Sequence, residues 1–403
     1  MIRRRFVASV FVISSESGSA FHFVSNPIRS IITPRKGLSV GWHVPKLALL
    51  KSTSTARTIS MALSSSSTNH PPLIDVDCNL WHVDLKPLRE DNNITDSDDK
   101  EFASFRLLPE DAVLESNIVA VLSPSSTLCE SKRGLVRLDA GNDVSLNDIS
   151  SRLKIRSTVG IHPYHVQDED IKDQTVPDLI QTMRELLQKY ASHCAAVGEC
   201  GLDASEGFPP LDAQLELFTE QVKLAHELQL PLFVHERLAF TPCLDILQQH
   251  SPQNSVPIII HCFTGTTQEC QTYIDKGYFV SLSGYIFKEE AADIRQCLQT
   301  GIIPLDRLMI ETDAPYMGFA GCRSLYAAKN DEYIQSLNSK KRKRLLNSIY
   351  PNVPSSLPIV LGKILEEINV GRTRRGEVLL TREQLALQTS RNADQFFGFD
   401  LAL

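Results

Sequence analysis

An α/β protein folded as a closed (β/α)8 TIM barrel is what this 403-residue sequence predicts. Two observations lead there. Short apolar runs alternate with helical segments eight times between residues 73 and 313, the pattern of parallel βα units closing on themselves. No G-x-G-x-x-G follows the first run, so the doubly wound open sheet lacks its phosphate-binding signature.

The runs are of strand length and are bounded by turn-forming residues, as fully buried strands are. In order they are LIDVDCNL at 73–80, IVAVLS at 118–123, the stretch 155–161, CAAVGEC at 194–200, PLFVHE at 231–236, VPIIIH at 256–261, GYFVSLSG at 277–284 and DRLMIETD at 306–313. Helices are expected between them. The segment 178–193 places Leu179, Met183, Leu186 and Leu187 on one face. The segment 212–230 places Leu215, Phe218, Val222 and Ala225 together, with Asp212 as its expected cap. Further helices are expected over 241–250, 266–276 and 288–300, and two closing helices begin near residues 357 and 381. The acidic stretch 89–101 reads as a solvated loop.

Residues 1–70 differ in kind. They carry nine Lys or Arg, from Arg3 to Arg57, against one acid, Glu16, and are rich in Ser and Thr. That is the composition of an organellar transit peptide, mitochondrial or plastid, running into a disordered linker. Its apolar piece, Phe6 to Ile13, is too short to span a bilayer. If translation starts instead at Met61, a cytoplasmic or nuclear product is expected. The folded domain is expected over 71–403. A net charge of −7 excludes a protein that coats nucleic acid over its whole surface, so any such contact is local. Nine scattered cysteines without a CxxC pair argue against a disulfide framework or a disulfide-linked partner. No run has transmembrane length, and no membrane partner is expected.

Chemistry gathers where the runs end. Asp77 and Asn79 close the first, His162 follows the third, Glu199 lies in the fourth, His235 in the fifth, His261 ends the sixth and Asp313 the eighth. In a barrel these ends share one face. Imidazole and carboxylate donors suit one or two divalent ions such as Mg, Mn or Zn, and such ions activate water for hydrolysis. Cys200 and Cys262 are expected as apolar fillers, Phe263 as packing beneath a loop, and Tyr164 and Tyr316 as packing residues near the groove.

Five segments, VGIHPYH, AVGECGLD, PLFVHER, IIIHCFTGT and MIETDAPYM, resemble the successive signatures of the TatD family of metal-dependent deoxyribonucleases. The likeness runs from about residue 73 to 400, in order. It implies a barrel hydrolase that cuts DNA as a 3′-to-5′ exonuclease, with the choice of DNA against RNA left open. It implies Glu199, His235, His261 and Asp313 as metal ligands, with Glu199 bridging and Asp77 a further candidate. It implies Asp313 as proton acceptor, His162 and Arg237 as catalytic groups steadying the phosphate, and Asn352 as a substrate-binding position. Two departures stand out. Asp77 and Asn79 occupy the place of an H-x-H pair found in many relatives, and the stretch from Pro315 to Asn352 is long and carries KKRKR at 340–344. That run reads as a solvated cluster, a phosphate-gripping patch or a nuclear signal. Two other readings stay open at this point: the same site on a carboxylic ester or amide, such as aminoacyl-tRNA, and a barrel that binds without catalysis.

Overall fold

The computed structural model describes residues 71–82, Leu85, and the segments 116–140, 153–250, 256–328 and 336–403. The leader 1–70 and the acidic stretch 89–101 lie outside the described residues. Eight parallel strands pair in sequence order: β1 Leu73–Asp75, β2 Ile118–Ser123, β3 Lys154–Val159, β4 Cys194–Asp203, β5 Leu232–Arg237, β6 Ile258–Ile260, β7 Phe279–Leu282 and β8 Leu308–Ile310. Bonds between the chain after β1 and the chain after β8 bring the two ends together. Val76 N–H donates to Ile310 O at 3.3 Å, Asp313 N–H to Asp77 O at 2.8 Å, and Asn79 N–H to Ala314 O at 2.8 Å. The strand expected over 73–80 therefore regularises for only three residues. A register break at Leu73/Ile74 and these bonds to the post-β8 loop use its remaining backbone groups. β4 runs longer than its apolar stretch suggests, because its register against β5 shifts between Val197 and Cys200 and pairing then resumes to Asp203.

Side chains divide by strand period. Val234, Ile258, Ile260, Leu308 and Ile310 face the helices, in the larger core. Phe233, Ile259 and Met309 face the barrel interior with Ile74, Ala120 and Leu122. The last helix sends Phe396 and Phe397, followed by Phe399, against that interior set. Phe233 lies 6.2 Å from Phe397, centroid to centroid. Each such side chain stabilises the fold by about 1.5–3 kcal/mol on burial. The result is a dry floor beneath the polar mouth.

The helices are α1 Leu128–Ala140, α2 Val176–Lys189, α3 Leu211–Leu228, α4 Phe240–His250, α5 Thr267–Asp275, α6 Ala292–Thr300, α7 Ser324–Ala328, α8 Ser339–Asn347, α9 Leu357–Arg375 and α10 Arg382–Phe397. α1 has no counterpart among the expected helices. Gly134 interrupts its apolar pattern, and a side chain there would meet the Trp81 indole at 2.8 Å. Asp212 does not cap α3: Pro210 holds the N-cap position without a side-chain bond, and Asp212 sits inside the first turn. There its charge still complements the helix dipole. α5 and α10 begin with reciprocal capping boxes, Thr266 with Glu269 and Thr381 with Gln384. Among the described residues no helix is long and apolar enough to cross a membrane.

Candidate metal centre

The inward set of each strand continues past the apolar floor into ligands. On β5 Phe233 is followed two residues on by His235; on the β6 line Ile259 is followed by His261; on the β8 line Met309 is followed by Glu311 and Asp313. Phe233 stacks beneath His261 at 4.6 Å and 22°. The same period that buries the floor thus aims imidazoles and carboxylates at the mouth.

Glu199 is the hub. One carboxylate oxygen, Oε1, meets His261 Nε2 at 2.8 Å, His162 Nε2 at 3.3 Å and His235 Nδ1 at 3.3 Å. His235 is held from its other side by Asp203, Oδ2 to Nε2 at 2.8 Å. His261 Nδ1 lies 3.0 Å from Asp77 Oδ2 and 3.9 Å from Glu311 Oε1. Two groups of donors converge: His162, Glu199 and His235 form one, and Asp77, His261 and Glu311 the other. Gly201, between Glu199 and Asp203, has φ 149°, and a side chain there would run into the His235 carbonyl. Only glycine lets β4 approach β5 this closely.

Both Asp77 carboxylate oxygens, His261 Nδ1 and Glu311 Oε1 are buried without a hydrogen-bond partner. Buried polar groups are ordinarily satisfied. Once its proton is lost, each of these atoms turns a lone pair toward the others, and such acceptors repel. A cation resolves this conflict, so the residues present fit a divalent ion.

The electrostatics agree. Burial opposes ionisation of Glu199, yet His162 and His261 hold its carboxyl well below the usual range. Burial drives His162 down to about 3, leaving a neutral imidazole fit to donate a lone pair. Burial also lowers His261, but Glu199 outweighs it and raises the ring to about 9. Burial raises Asp313 to about 7, and raises Asp77 and Glu311 well above the carboxylate range, with Asp313 adding to Asp77 and then Asp77 to Glu311. Buried, crowded carboxylates of this kind fit a cation, whose charge would favour their ionised forms.

Of the residues singled out in the sequence, the structure brings together Glu199, His235, His261, His162 and Asp77. His162 belongs with the donors rather than beside them. Asp313 lies in neither trio but closes the same cluster, its backbone bonded to Asp77 O. Arg237 stands half-buried at the end of β5, its carbonyl bonded to Ala204 N–H. Asn352 is placed otherwise than expected for substrate contact. It is fully buried, its amide donates to Thr312 O at 2.8 Å, its carbonyl accepts from Val353 N–H, and its backbone N–H donates to Pro315 O. It positions the Asp313 loop from behind. Tyr164 and Tyr316, expected to pack, are 44% and 47% exposed, whereas Phe263 is buried as expected. All nine cysteines are free, and Cys200 and Cys262 are buried.

Three positions of the candidate site and its supports escaped the sequence. Glu311 stands two residues before Asp313, so strand period alone puts it on the same face. Asp203 repeats the parity of Glu199. Asp75 accepts from Thr312 N–H at 2.9 Å and Thr312 Oγ1 at 2.6 Å, a tie between barrel ends that the sequence does not announce.

The model of the TatD-related DNases matches residues 112–398. The chain belongs to that family. A Rahnella protein named 3′-5′ ssDNA/RNA exonuclease TatD is 38% identical over 165 residues, which is 40% of this chain and 57% of the relative. The match to that relative thus spans little more than half its length. A Pantoea ananatis protein of the same name is 28% identical over 74% of this chain and 95% of its own length. Among solved structures, a TatD-family hydrolase of Entamoeba histolytica superposes with TM-score 0.57 at 18% identity, covering 81% of this chain and 98% of the other. The TatD homologue YJJV of Escherichia coli K12 gives 0.56 at 21%, with the same coverage. These likenesses bear on the fold.

Proposed function

We propose that this TatD-family protein is a metal-dependent nuclease that removes nucleotides from the 3′ end of single-stranded DNA or RNA. The observation that carries the reading is the set of buried, unpartnered donors, Asp77, His261 Nδ1 and Glu311, set against the Glu199 histidine cluster. The names of the relatives support the substrate class.

His162, Glu199 and His235 would hold one divalent ion, and Asp77, His261 and Glu311 the other. Bound there, such ions supply Lewis-acid activation of water and offset phosphate charge. The chain's own groups do the rest. Asp313 accepts a proton from the attacking water. Water oxygen bonds to phosphorus, the phosphorus–O3′ bond breaks, and the departing O3′ takes a proton, leaving a nucleoside 5′-monophosphate and a strand with a new 3′ hydroxyl. Arg237 presents a guanidinium to the phosphate, a planar donor suited to bidentate contact. Asp203 fixes the His235 ring, as a carboxylate behind an imidazole ligand commonly does. Phe233 below His261 keeps the floor dry, which strengthens every charge interaction above it.

The test uses the full chain, stripped of metal and resupplied with Mg, Mn or Zn singly, acting on 5′-labelled single-stranded DNA and RNA. A ladder shortening from the 3′ end, metal-dependent and absent in Asp313→Ala, is expected. Intact strands under every metal would overturn the reading.

A further inference from the structure

Within the long stretch between Pro315 and Asn352, α8 is a basic helix on the segment that leads to Asn352. α8 carries Lys340, Lys341, Arg342, Lys343 and Arg344 and no acid. Lys340, Lys341 and Lys343 are exposed and enter no ion pair among the described residues. Local physics does not favour this helix. Lys340 and Lys343, and Lys340 and Arg344, are like charges at helical-neighbour spacing, and cations in the first turn oppose the helix dipole.

Tertiary contacts hold it instead. Leu345 is buried against Tyr326, Ala327 and Val353. Arg323, only 1% exposed, donates to the carbonyls of Leu345, Ser348, Tyr350 and Pro351. A positive surface maintained at local cost and clamped from beneath points to an anionic partner.

Its placement names the partner. Tyr316 donates its backbone N–H to Asp313 O at 2.6 Å, and its ring lies 6.3 Å from Tyr350, three residues past the end of α8 at Asn347. Tyr316 is 47% exposed and Tyr350 42%. Two half-exposed rings, one of them on the segment that continues from the lysine-bearing helix, offer base stacking, and the lysines offer phosphate neutralisation, the two contacts single strands use. This patch is local in a chain of net charge −7.

We infer that α8, with Tyr316 and Tyr350, is a track for single-stranded nucleic acid that holds the strand upstream of the 3′ end bound at the metal centre. The inference deepens the nuclease reading and rests on it for the strand's orientation. The track makes long strands better substrates than short ones without touching the reacting phosphate.

The test compares the full chain with Lys340→Gln/Lys341→Gln/Lys343→Gln. Binding of a labelled 20-nucleotide strand is followed by anisotropy across a salt series, both proteins carrying Asp313→Asn so that the strand stays intact. The triple variant is expected to bind about tenfold more weakly, and its log-affinity slope against log salt to be shallower by about 2, since each lost contact to a single strand's phosphate removes roughly 0.7. With Asp313 restored, turnover of a dinucleotide is expected unchanged. Equal affinity and slope in the two proteins would overturn the track even if the enzyme cuts DNA. A parallel loss on the dinucleotide would also overturn it, because the effect would then lie at the reacting centre. If the parent chain cuts nothing yet the variant still loses strand binding, the nuclease reading falls and the track stands.

Discussion

Arg323→Met should loosen the segment 336–352 and, through it, the loop that carries Asp313. The guanidinium makes five bonds to four carbonyls: Leu345 O at 3.1 and 2.7 Å, Ser348 O at 2.8 Å, Tyr350 O at 3.1 Å and Pro351 O at 3.1 Å. Methionine keeps most of the stem's packing and removes every donor. Tyr350 O retains the Ser348 hydroxyl at 2.8 Å, while the other three carbonyls lose their main donor. An orphaned buried acceptor costs about 1–3 kcal/mol, and partial relaxation with water entry brings the sum to about 3–5 kcal/mol. Arg323 bonds to none of the eight strands, so the cost falls on local opening rather than on the barrel. Amide exchange over 336–352 should therefore accelerate about 100-fold or more while the melting temperature shifts only slightly. Asn352, which ties this segment to Thr312 O, should transmit the loosening to Asp313, with turnover falling about tenfold. Parent-like exchange rates in 336–352 would refute the clamp, and faster exchange with full turnover would refute its link to Asp313.

Other outcomes follow from the same geometry. Asp313→Ala should lower turnover by about 10²–10⁴ with the fold intact by circular dichroism, the range for losing a proton acceptor. Asp77→Asn should reduce bound metal per chain, measured by elemental analysis. It should also raise the melting point of the metal-free protein, because it removes one of the unpartnered, mutually repelling buried carboxylates. Chelation of the parent protein should lower its melting temperature, since ions at about 100-fold above their dissociation constant stabilise by about 2.7 kcal/mol; a melt indifferent to chelator would deny the centre its ions. Gly201→Ala should cost about 3 kcal/mol in urea denaturation and abolish activity, its side chain being driven into the His235 backbone at φ 149°.

By itself the sequence determined the barrel and where its candidate ligands stand along the chain. Buried parallel strands are continuous apolar runs with breakers at their ends, and a ligand after such a run lands at the mouth whatever the loops do; hence His162, Glu199, His235, His261 and Asp313 could be named. What it left open depends on contacts between distant strands. Whether Asp77 points at His261, whether Asp203 backs His235, and whether Glu311 joins the cluster follow from register, and the breaks at Leu73/Ile74 and Val197/Cys200 leave no local mark. Asn352 read as a polar group for substrate, and only packing shows its amide spent on Thr312. The basic run 340–344 read three ways, because charge pattern alone carries no address. Tertiary structure decided its place, since a buried arginine and one leucine hold that helix beside the residues that follow Asp313.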